Sequence, residues 1–469
     1  MKRSLVRLGQ LTTTALKKPQ YDLKSLKLNP ATYQESIDRR RAKLHKNTTV
    51  DAILKAYNEL VDHQKSRDQL VAHRNNLQKT LQDLLKASGT DREEIKKDIG
   101  AQLQKLKIEV KRTDNDLQLL ENEVFSAIET IPNRLEPDAK DEIEVIEFIN
   151  EGRAPPAVSS TAAKPDSQRD HHDIGVSLGI IDFESASRVS GSSSYYLVGQ
   201  GALLEQALVS FVLAKAASKG WTLMTPPSLV RQEFTNACGF KPRDQNNEQQ
   251  VYMIESDRND NNTLCLTGTA EIPLAGWAAH KTLDLSATGI LRRAGVSRSY
   301  RAEAGARGRD TRGLYRVHEF TKVELFAWTI GDIATSNRVF DEIVALQKET
   351  ISELGLYARV INIPPYDLGA PAYRKYDIEC WMPGRGSWGE LTSTSNCLDY
   401  QARRLHTKYH CGDPQTKPEF VHTLNGTGIA IPRTIVAILE NFYDPDTQTV
   451  EIPQVLQKYM GDTHIRKNN

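Results

Sequence analysis

The sequence predicts an α+β protein in which a long antiparallel two-helix coiled-coil arm precedes a larger domain built on an antiparallel β-sheet flanked by helices. Two observations support this expectation. A heptad pattern continues without a break through residues 99–127, and from about residue 173 onward strand-like and helix-like segments mix without the regular alternation of parallel βα units. The length of 469 residues is typical of two or three domains.

The arm is predicted over residues 42–131, where apolar side chains recur at helical spacing. In its second half the seam consists of Ile99, Leu103, Leu106, Val110, Thr113, Leu117, Leu120, Val124 and Ala127. Gly89 interrupts the pattern, and Thr90 and Glu93 have capping-box spacing, so a second helix is expected to begin there. A short connection between long helices predicts an antiparallel hairpin. A helix of about 40 residues extends roughly 60 Å, which is too long for burial in one globule.

Basic residues cluster on the first helix of the arm and just before it. They are Arg39, Arg40, Arg41, Lys43, Lys46, Arg67 and Arg74. Acidic and amide residues lie between them, so charge alone does not decide between an RNA-reaching arm and a structural or dimerising coiled coil.

Composition excludes several classes of protein. The chain has 61 Lys and Arg against 60 Asp and Glu, so any nucleic-acid site must come from local clustering. The five cysteines include no C-x-x-C pair, which argues against a disulfide framework and against a zinc site of the all-cysteine type. No run of about 18 apolar residues is present, so no association with a membrane is expected.

The first 20 residues predict a mitochondrial transit peptide, and therefore a location in the matrix. The basic residues before the first acid, Asp22, are Lys2, Arg3, Arg7, Lys17 and Lys18. Hydroxyl residues lie among them, and leucines recur at helical spacing, as in transit peptides. The alternative is a frayed basic N-terminus.

Further boundaries follow from composition. Residues 21–135 are expected to form a domain that carries the arm, residues 136–172 a linker, and residues 173–469 the larger domain. The linker is predicted because residues 151–172 are rich in Pro, Ala, Ser and Asp. The pair His171-His172 is expected to be solvated there and not a metal site, since no third ligand lies nearby in sequence.

The segment with the strongest chemical signal is SYRAEAGARGRDTRGLYRVHEFTKVELF, residues 299–326. It reads as a β-hairpin with strands near 296–303 and 320–328 and an arginine-rich loop between them. Phe320, Lys322, Glu324 and Phe326 alternate along the second strand and share one face. Arginine forks suit phosphate oxygens, so the segment indicates either a nucleotide site or a loop that binds a nucleic-acid backbone.

Three further segments carry polar residues in unusual surroundings. In NGTGIAIPRTIVAILENF, residues 425–442, Pro432 suits a first helical position and Arg433 lies beside the positive helix end, where anions bind. In residues 376–396, Pro383–Gly386 predicts a hairpin turn, and Glu390 and Ser393 offer hard oxygen ligands for Mg²⁺. In LTGTAEIPL, residues 266–274, Glu271 lies between apolar stretches, which indicates a paired or functional carboxylate.

Together these segments resemble the class II aminoacyl-tRNA synthetases, and specifically the seryl-tRNA synthetase family. The similarity runs from YDLKSLKLNPATYQESIDRRRA, which begins at Tyr21, through GIIDFESASRVSGSSSYYLVGQGALLEQAL to about Met460. The helix over residues 202–219 and the following GWTLMTPPSLV resemble the first class II motif, which in the family forms a dimer interface around Pro226-Pro227. The hairpin resembles the second motif, and residues 425–442 the third.

The resemblance implies roles for individual residues. Arg301 and Arg433 are the implied catalytic residues, Arg301 at the α-phosphate and the serine carboxylate and Arg433 at the γ-phosphate. The implied ATP-binding residues are Arg301, Ala302, Glu303, Val317, Glu390, Leu391, Thr392, Ser393 and Arg433. The implied serine-binding residues are Thr269, Ala270, Glu271, Arg301, Glu324, Asn425 and Thr427. Glu390 and Ser393 are the implied ligands of a Mg²⁺ ion bound with ATP, and no zinc is expected.

The resemblance also implies the reaction and its partners: ATP-dependent activation of L-serine to seryl-adenylate and transfer to tRNA-Ser, by a homodimer that serves mitochondrial protein synthesis. Two alternatives stay open, an amino-acid:carrier-protein ligase and a non-catalytic tRNA-binding paralogue. The arm speaks against the first, because such ligases are expected to lack it. The presence of Arg301, Glu303, Glu390 and Arg433 speaks against the second.

Overall fold

A computed structural model describes residues 16–86, 93–154, 165–241, 248–255, 263–303, 312–412 and 415–467. The chain divides into two compact units, Tyr21–Arg134 in one and Met1–Gln20 with Leu135–Asn469 in the other. Several predictions lie outside the described residues: the interruption at Gly89, the Thr90 half of the capping box, the loop arginines Arg307 and Arg309, and residues 1–15 of the transit peptide.

The unit Tyr21–Arg134 is helical and contains the arm. Its helices are α1 (Leu23–Leu28), α2 (Pro30–Arg39), α3 (Val50–Lys86) and α4 (Glu93–Glu129). The helices α3 and α4 have 37 residues each, which corresponds to about 55 Å. Every position of the predicted seam is buried or half-buried. Lys46 contacts Glu123 and Arg67 contacts Asp114, so the two helices run antiparallel and the predicted arm is confirmed.

The larger unit is built on an eight-stranded sheet with the order β1-β10-β11-β12-β15-β9-β8-β4. Only the β4–β8 pair is parallel among the strands of this sheet that the structure describes. The strands of the unit are β1 (Glu144–Ile149), β2 (Ile181–Asp182), β3 (Tyr196–Leu197), β4 (Thr222–Met224), β5 (Leu229–Arg231), β6 (Leu264–Leu266), β7 (Thr282–Asp284), β8 (Ile290–Tyr300), β9 (Glu319–Thr329), β10 (Ala358–Asn362), β11 (Arg374–Met382), β12 (Ser387–Asn396), β13 (Lys408–His410), β14 (Glu419–Phe420), β15 (His422–Ala430), β16 (Tyr443–Asp444), β17 (Thr449–Glu451) and β18 (His464–Ile465). The predicted antiparallel sheet is therefore confirmed.

The larger unit also contains helices. They are α5 (His171–Ser177), α6 (Phe183–Ser190), α7 (Gln200–Ser218), α8 (Gln232–Ala237), α9 (Glu271–Trp277), α10 (Ile333–Glu353), α11 (Tyr400–Leu405), α12 (Ile431–Phe442) and α13 (Gln454–Met460). The helices α7, α10 and α12 make the most extensive contacts with the central sheet. By length and composition α7 could cross a membrane, but Leu204, Leu208 and Val212 on it are fully buried in the protein core.

Two details differ from the predicted linker over residues 136–172. Residues 144–149 form the edge strand β1, which pairs with β10 in the central sheet. His171, expected to be solvated, begins α5 and keeps only 4% of its surface exposed, so that expectation is wrong. The physical reason is a partner far away in sequence, the buried carboxylate of Glu440. His172 remains partly exposed and contacts Asp173.

Candidate active site

Arg301 stands just past the end of β8, at the start of the segment that connects β8 to β9. The two strands pair from Ile290 opposite Thr329 to Tyr300 opposite Glu319, which confirms the predicted hairpin. Two residues after Arg301, Glu303 has a left-handed backbone with φ of 48°, and its carboxylate accepts from Arg316 at 2.8 Å. A non-glycine residue keeps such a backbone only where its surroundings hold it.

Arg433 lies in the first turn of α12 and is held by three acceptors. Its Nη1 donates to the carbonyl oxygen and to the Oε2 of Glu390, both at 3.2 Å, and its Nε donates to the Tyr315 carbonyl at 3.3 Å. Pro432 is the second residue of α12, one position later than predicted. The guanidinium is thus fixed beside a helix N-terminus, where the backbone also favours anions.

Arg301 and Arg433 line the same cavity, which has a volume of about 60 Å³. Burial lowers the pKa of the Arg301 guanidinium, and the positive charge of Arg433 lowers it further. Two close cations that repel each other in a partly buried cavity form a site for a polyanion, because bound phosphate oxygens replace repulsion by charge-assisted hydrogen bonds.

An extra residue in β12 determines which of its side chains reach the cavity. Ile378 pairs with Thr392, but Glu379 pairs with Glu390, so Leu391 forms a β-bulge. As a result Glu390, Leu391 and Ser393 all line the cavity, whereas Thr392 is fully buried. Without the bulge Glu390 and Ser393 would point to opposite faces of the strand.

A second cavity, of about 310 Å³, adjoins the first. The residues that line both are Arg301, Lys322, Glu390 and Ser393. The second cavity is also lined by Thr269, Glu271 and Asn425, three residues of the predicted serine-binding set. The geometry is therefore that of two joined compartments with Arg301 at the junction.

Glu324 lies beside this junction with one oxygen engaged. Its Oε2 receives Lys322 Nζ at 2.5 Å and the Thr269 hydroxyl at 3.2 Å. Its Oε1 is buried without a hydrogen-bond partner in the part of the chain that the structure describes. Burial raises the pKa of Glu324, against the opposing effect of Lys322. A buried acceptor without a partner is costly, so it marks a place for a substrate donor.

Both oxygens of Glu271 are engaged by amides. Gln401 donates to Oε1 at 2.6 Å, and Asn425 donates to Oε2 at 3.1 Å. Burial raises the pKa of Glu271 to about 7, and the nearby Glu324 acts in the same direction. The carboxylate therefore fixes the Asn425 amide at the wall of the larger cavity.

The charge of Glu390 differs from that of these two acids. Burial alone would raise its pKa, but the cations Arg433, Lys375 and Arg301 outweigh burial and lower it to about 2. The Glu390 side chain also keeps 39% of its surface exposed toward the cavity. It is thus an ionised carboxylate next to the two arginines, suited to share a cation with bound phosphates.

The structure brings most of the predicted site residues together. The predicted ATP-binding residues that line the first cavity are Arg301, Glu303, Val317, Glu390, Leu391, Ser393 and Arg433, and Thr427 lines it as well. The predicted residues that line neither of the two cavities are Ala302, Thr392, Ala270 and Glu324, of which the last three are fully buried.

Sequence reasoning missed several lining residues. Tyr315, Arg316, Phe320 and Lys322 line the first cavity, and Phe320 lies under the Arg301 guanidinium at 5.4 Å from the ring centre. The alternation that placed Phe320 and Lys322 on the face of Glu324 was a usable signal for two of them. Tyr315 and Arg316 lie in the connection between the strands, where periodicity carries no information.

Comparisons with protein families give two matches along the chain. Residues 21–135 match the model of the seryl-tRNA synthetase N-terminal domain, and residues 252–442 match the class II tRNA synthetase core domain of the G, H, P, S and T enzymes. The mitochondrial serine–tRNA ligase of Saccharomyces cerevisiae is 43% identical over 95% of this chain and 96% of its own length. The mitochondrial serine–tRNA ligase of Schizosaccharomyces pombe is 47% identical over 66% of this chain and 63% of its own length.

A solved structure shows the same architecture. The seryl-tRNA synthetase of Pyrococcus horikoshii, solved in complex with ATP, superposes with a TM-score of 0.80 at 32% identity, covering 96% of this chain and all of that one. The residues of the arm and much of the sheet domain thus match models of one family. The chain belongs to the seryl-tRNA synthetase family of class II aminoacyl-tRNA synthetases.

Proposed function

We propose that this chain is a serine–tRNA ligase in which Arg301 and Arg433 grip the triphosphate of ATP in the smaller cavity while serine occupies the larger one. The observation that carries the proposal is that the two guanidiniums, which lie 132 positions apart in sequence, line one cavity and share it with the ionised Glu390. Phe320 offers an aromatic face at the same wall, suited to stacking with an adenine ring.

The chemistry requires no protein nucleophile. The serine carboxylate attacks the α-phosphorus and pyrophosphate leaves, after which a terminal adenosine hydroxyl of tRNA-Ser attacks the carbonyl carbon of seryl-adenylate and AMP leaves. Arg301, at the junction of the two cavities, contacts both the carboxylate and the α-phosphate, so it holds them in reach and stabilises charge that develops between them.

The amino-acid specificity is assigned to Glu324 and its neighbours. The Oε1 atom of Glu324, buried and without a partner in the described protein, is the acceptor for the serine hydroxyl. A site that hydrogen-bonds a substrate hydroxyl rejects an analogue without it by about 10⁴–10⁵, because the site's own group is then left unpaired. Alanine is therefore excluded at this position.

The residues at the first cavity also fit a magnesium ion. Glu390 is ionised, and within the described residues the Ser393 hydroxyl makes one long contact, with the Thr427 hydroxyl at 3.4 Å, so both retain capacity for a hard cation. When bound together with ATP, Mg²⁺ would neutralise phosphate charge at this wall. Glu390 also holds Arg433, so it orients that guanidinium at the same time.

The arm is assigned to tRNA-Ser. Its exposed length of about 55 Å suits recognition of RNA by shape and backbone, and charges along both helices are exposed. Part of the predicted basic cluster has other roles, since Arg40 is buried and Arg67 and Lys46 contact acids of α4. Exposed lysines and arginines along the two helices carry the proposed contacts with phosphates.

A homodimer and a mitochondrial location complete the proposal. Apolar side chains near α7 and the Pro226-Pro227 segment are exposed, among them Leu203, Leu223 and Leu229, and a second copy of the chain would cover them. The transit-peptide composition of residues 1–20 and the mitochondrial relatives support import. Because Leu16 and Gln20 hydrogen-bond to Glu233 and Arg403, a mature protein that begins at or before Leu16 keeps these contacts.

Pyrophosphate exchange with each of the twenty amino acids, followed by charging of total tRNA, tests the proposal. Only serine should support exchange, and only tRNA-Ser should be charged. A carrier-protein ligase would support exchange without charging, and a non-catalytic paralogue would show neither. Purification of the chain as a monomer would contradict the homodimer alone.

The role of Glu324 has its own test. Glu324→Ala should lower the preference for serine over alanine in exchange by at least about 10²-fold, since the acceptor for the serine hydroxyl is removed. Glu319→Ala, on the same strand but exposed, is the matched control and should keep the preference. An unchanged preference in Glu324→Ala would remove this residue from the serine site.

A further inference from the structure

His171 and Glu440 form a fully enclosed pair that the proposed chemistry does not use. His171 Nδ1 lies 2.8 Å from Glu440 Oε1, and the two residues keep 4% and 0% of their surfaces exposed. A buried ionisable pair is not needed for stability, since apolar residues of similar size would pack as well. The other contacts of the pair therefore become informative.

The second ring nitrogen of His171 faces the wall of the smaller cavity. The backbone N–H of Leu314 donates to His171 Nε2 at 3.2 Å. Because this nitrogen accepts, the proton of a neutral imidazole is on Nδ1, from which it is donated to Glu440. One histidine thus links a carboxylate on α12 to a peptide group at the edge of the cavity.

The peptide that His171 holds belongs to the segment Leu314–Val317, all four residues of which line the smaller cavity. Arg433 fixes the same segment from the other side, by donating to the carbonyl oxygen of Tyr315. The Tyr315 ring also lies between two guanidiniums, at 4.8 Å from Arg433 and 3.6 Å from Arg385. The segment is therefore held at its N–H, its carbonyl and its ring.

The helix α12 joins both attachments. Arg433 is in its first turn and Glu440 follows seven residues later, about two turns along the same face. The second oxygen of Glu440 accepts from the Arg385 backbone N–H at 3.1 Å, at the turn of the β11–β12 hairpin. One helix thus sets the position of the γ-phosphate arginine and, through His171, of the segment Leu314–Val317.

There is also no room between His171 and the cavity wall. Gly313 has φ of +78°, and a Cβ there would lie 2.2 Å from His171 Nε2. The glycine allows both the left-handed turn and the close approach of the imidazole.

We propose that His171, held by Glu440, is a positioning residue for ATP: it fixes the Leu314–Val317 wall through the Leu314 N–H and so controls affinity for the nucleotide and not for serine. The inference rests on the proposed function, since it takes the smaller cavity as the ATP site. A merely structural role for the pair would lower stability and affect both substrates alike.

Two substitutions of His171 test the roles of its two ring nitrogens separately. In His171→Gln the amide reaches the position of Nε2 and can accept from the Leu314 N–H, whereas in His171→Asn the shorter amide reaches only the position of Nδ1 and keeps the bond to Glu440. Pyrophosphate exchange should show a KM for ATP raised about tenfold in His171→Asn, because a buried N–H loses its acceptor, and less than about threefold in His171→Gln. The KM for serine should stay within about twofold in both.

His172→Asn is the control, since His172 is partly exposed and contacts Asp173 and Phe183. It should leave both KM values unchanged. An equal rise of the KM for ATP in the Asn and Gln variants, a parallel rise of the KM for serine, or no rise in His171→Asn would overturn the inference. Absence of serine-dependent exchange in the unsubstituted protein would instead overturn the proposed function.

If His171→Asn does not fold, Gly313→Ala tests the same contact from the opposite side. The added methyl must displace the imidazole, so the KM for ATP should rise about tenfold again while the KM for serine is kept. Gly289→Ala is its matched control, with a similar φ of +72° but only ordinary contacts, at 3.7 Å and beyond. Equal KM values for ATP in the two alanine variants would show that backbone strain, and not the His171 contact, is responsible.

Discussion

The arm and the cavity pair use the same charged residue types in opposite environments. On the arm Arg67 faces Asp114 at 2.8 Å with both side chains well exposed, whereas at the cavities Arg433 faces Glu390 with the arginine only 21% exposed. Water and salt screen the first pair, so its geometry is loosely determined and its energy small. The second pair is held by backbone groups and stays ordered for a ligand. Exposed charge thus suits a long, adaptable RNA surface, and buried charge suits chemistry.

Removing most of the arm should have the largest effect, because it separates the binding of RNA from the chemistry at the cavities. Because Arg67 and Asp114 face each other across the hairpin, residues 68–113 can be replaced by a short glycine-rich turn that rejoins the two helices. Charging of tRNA-Ser should then be lost while serine-dependent pyrophosphate exchange stays within about twofold. A parallel loss of exchange would show that the arm and the cavities do not act separately.

Arg301→Ala removes one of the buried charges at the cavities. Loss of one preorganised charged donor at a transition state typically costs about 10²–10³ in rate, so exchange should fall by that factor. Arg298→Ala, three residues earlier on β8 and partly exposed, is the control and should retain exchange. Near-normal exchange in Arg301→Ala would refute its assignment to the α-phosphate.

The buried carboxyl group of Glu271 should make the stability of the protein depend on pH. Because its pKa in the folded protein is about 7, above the ordinary 4.5, its contribution to stability is fully present below pH 4.5 and is lost as the pH rises through 7. Glu271→Gln removes this titration, so the stability of the variant relative to the unsubstituted protein should increase by about 1–3 kcal/mol between pH 5 and pH 8. Denaturant unfolding at the two pH values measures it. A difference that does not change with pH would mean that Glu271 stays ionised.

The smallest effect is expected at the exposed pair. Arg67→Ala should leave the midpoint of urea unfolding nearly unchanged, because exposed ion pairs contribute little. Urea unfolding with Asp114→Ala and the double variant, as a double-mutant cycle, gives the coupling between the two residues. A clear coupling in this cycle would show that charge on the arm is structurally organised like that at the cavities.

The two regions also differ in what the sequence could predict. The buried positions of α4 recur every three or four residues, so they are visible in a short stretch of sequence. The two helices of the arm therefore followed from periodicity, and their antiparallel pairing followed from the short connection between them. The arginines could be placed near a hairpin and a helix start for the same reason. The relation between Glu390 and Ser393 depends on a bulge, and bulges leave no periodic signal.

His171 shows the limit most clearly. A polar pair after a proline-rich stretch is usually solvated, and the burial of His171 depends on Glu440, 269 residues further along the chain. Local composition contains no information about a partner so distant. Lys322 and Phe320 were within reach of the alternation rule, but only the fold shows that their face opens onto a cavity.

The single extra residue at Leu391 has an evolutionary consequence. Deleting it would give a regular strand in which Glu390 still pairs with Glu379 and Thr392 with Ile378, so Glu390 and Ser393 would keep their common face. Deleting or inserting a residue elsewhere in β12 would turn every side chain on one side of the change to the opposite face of the sheet. This strand should therefore tolerate many changes of side chain, and a change in the number of its residues only at Leu391.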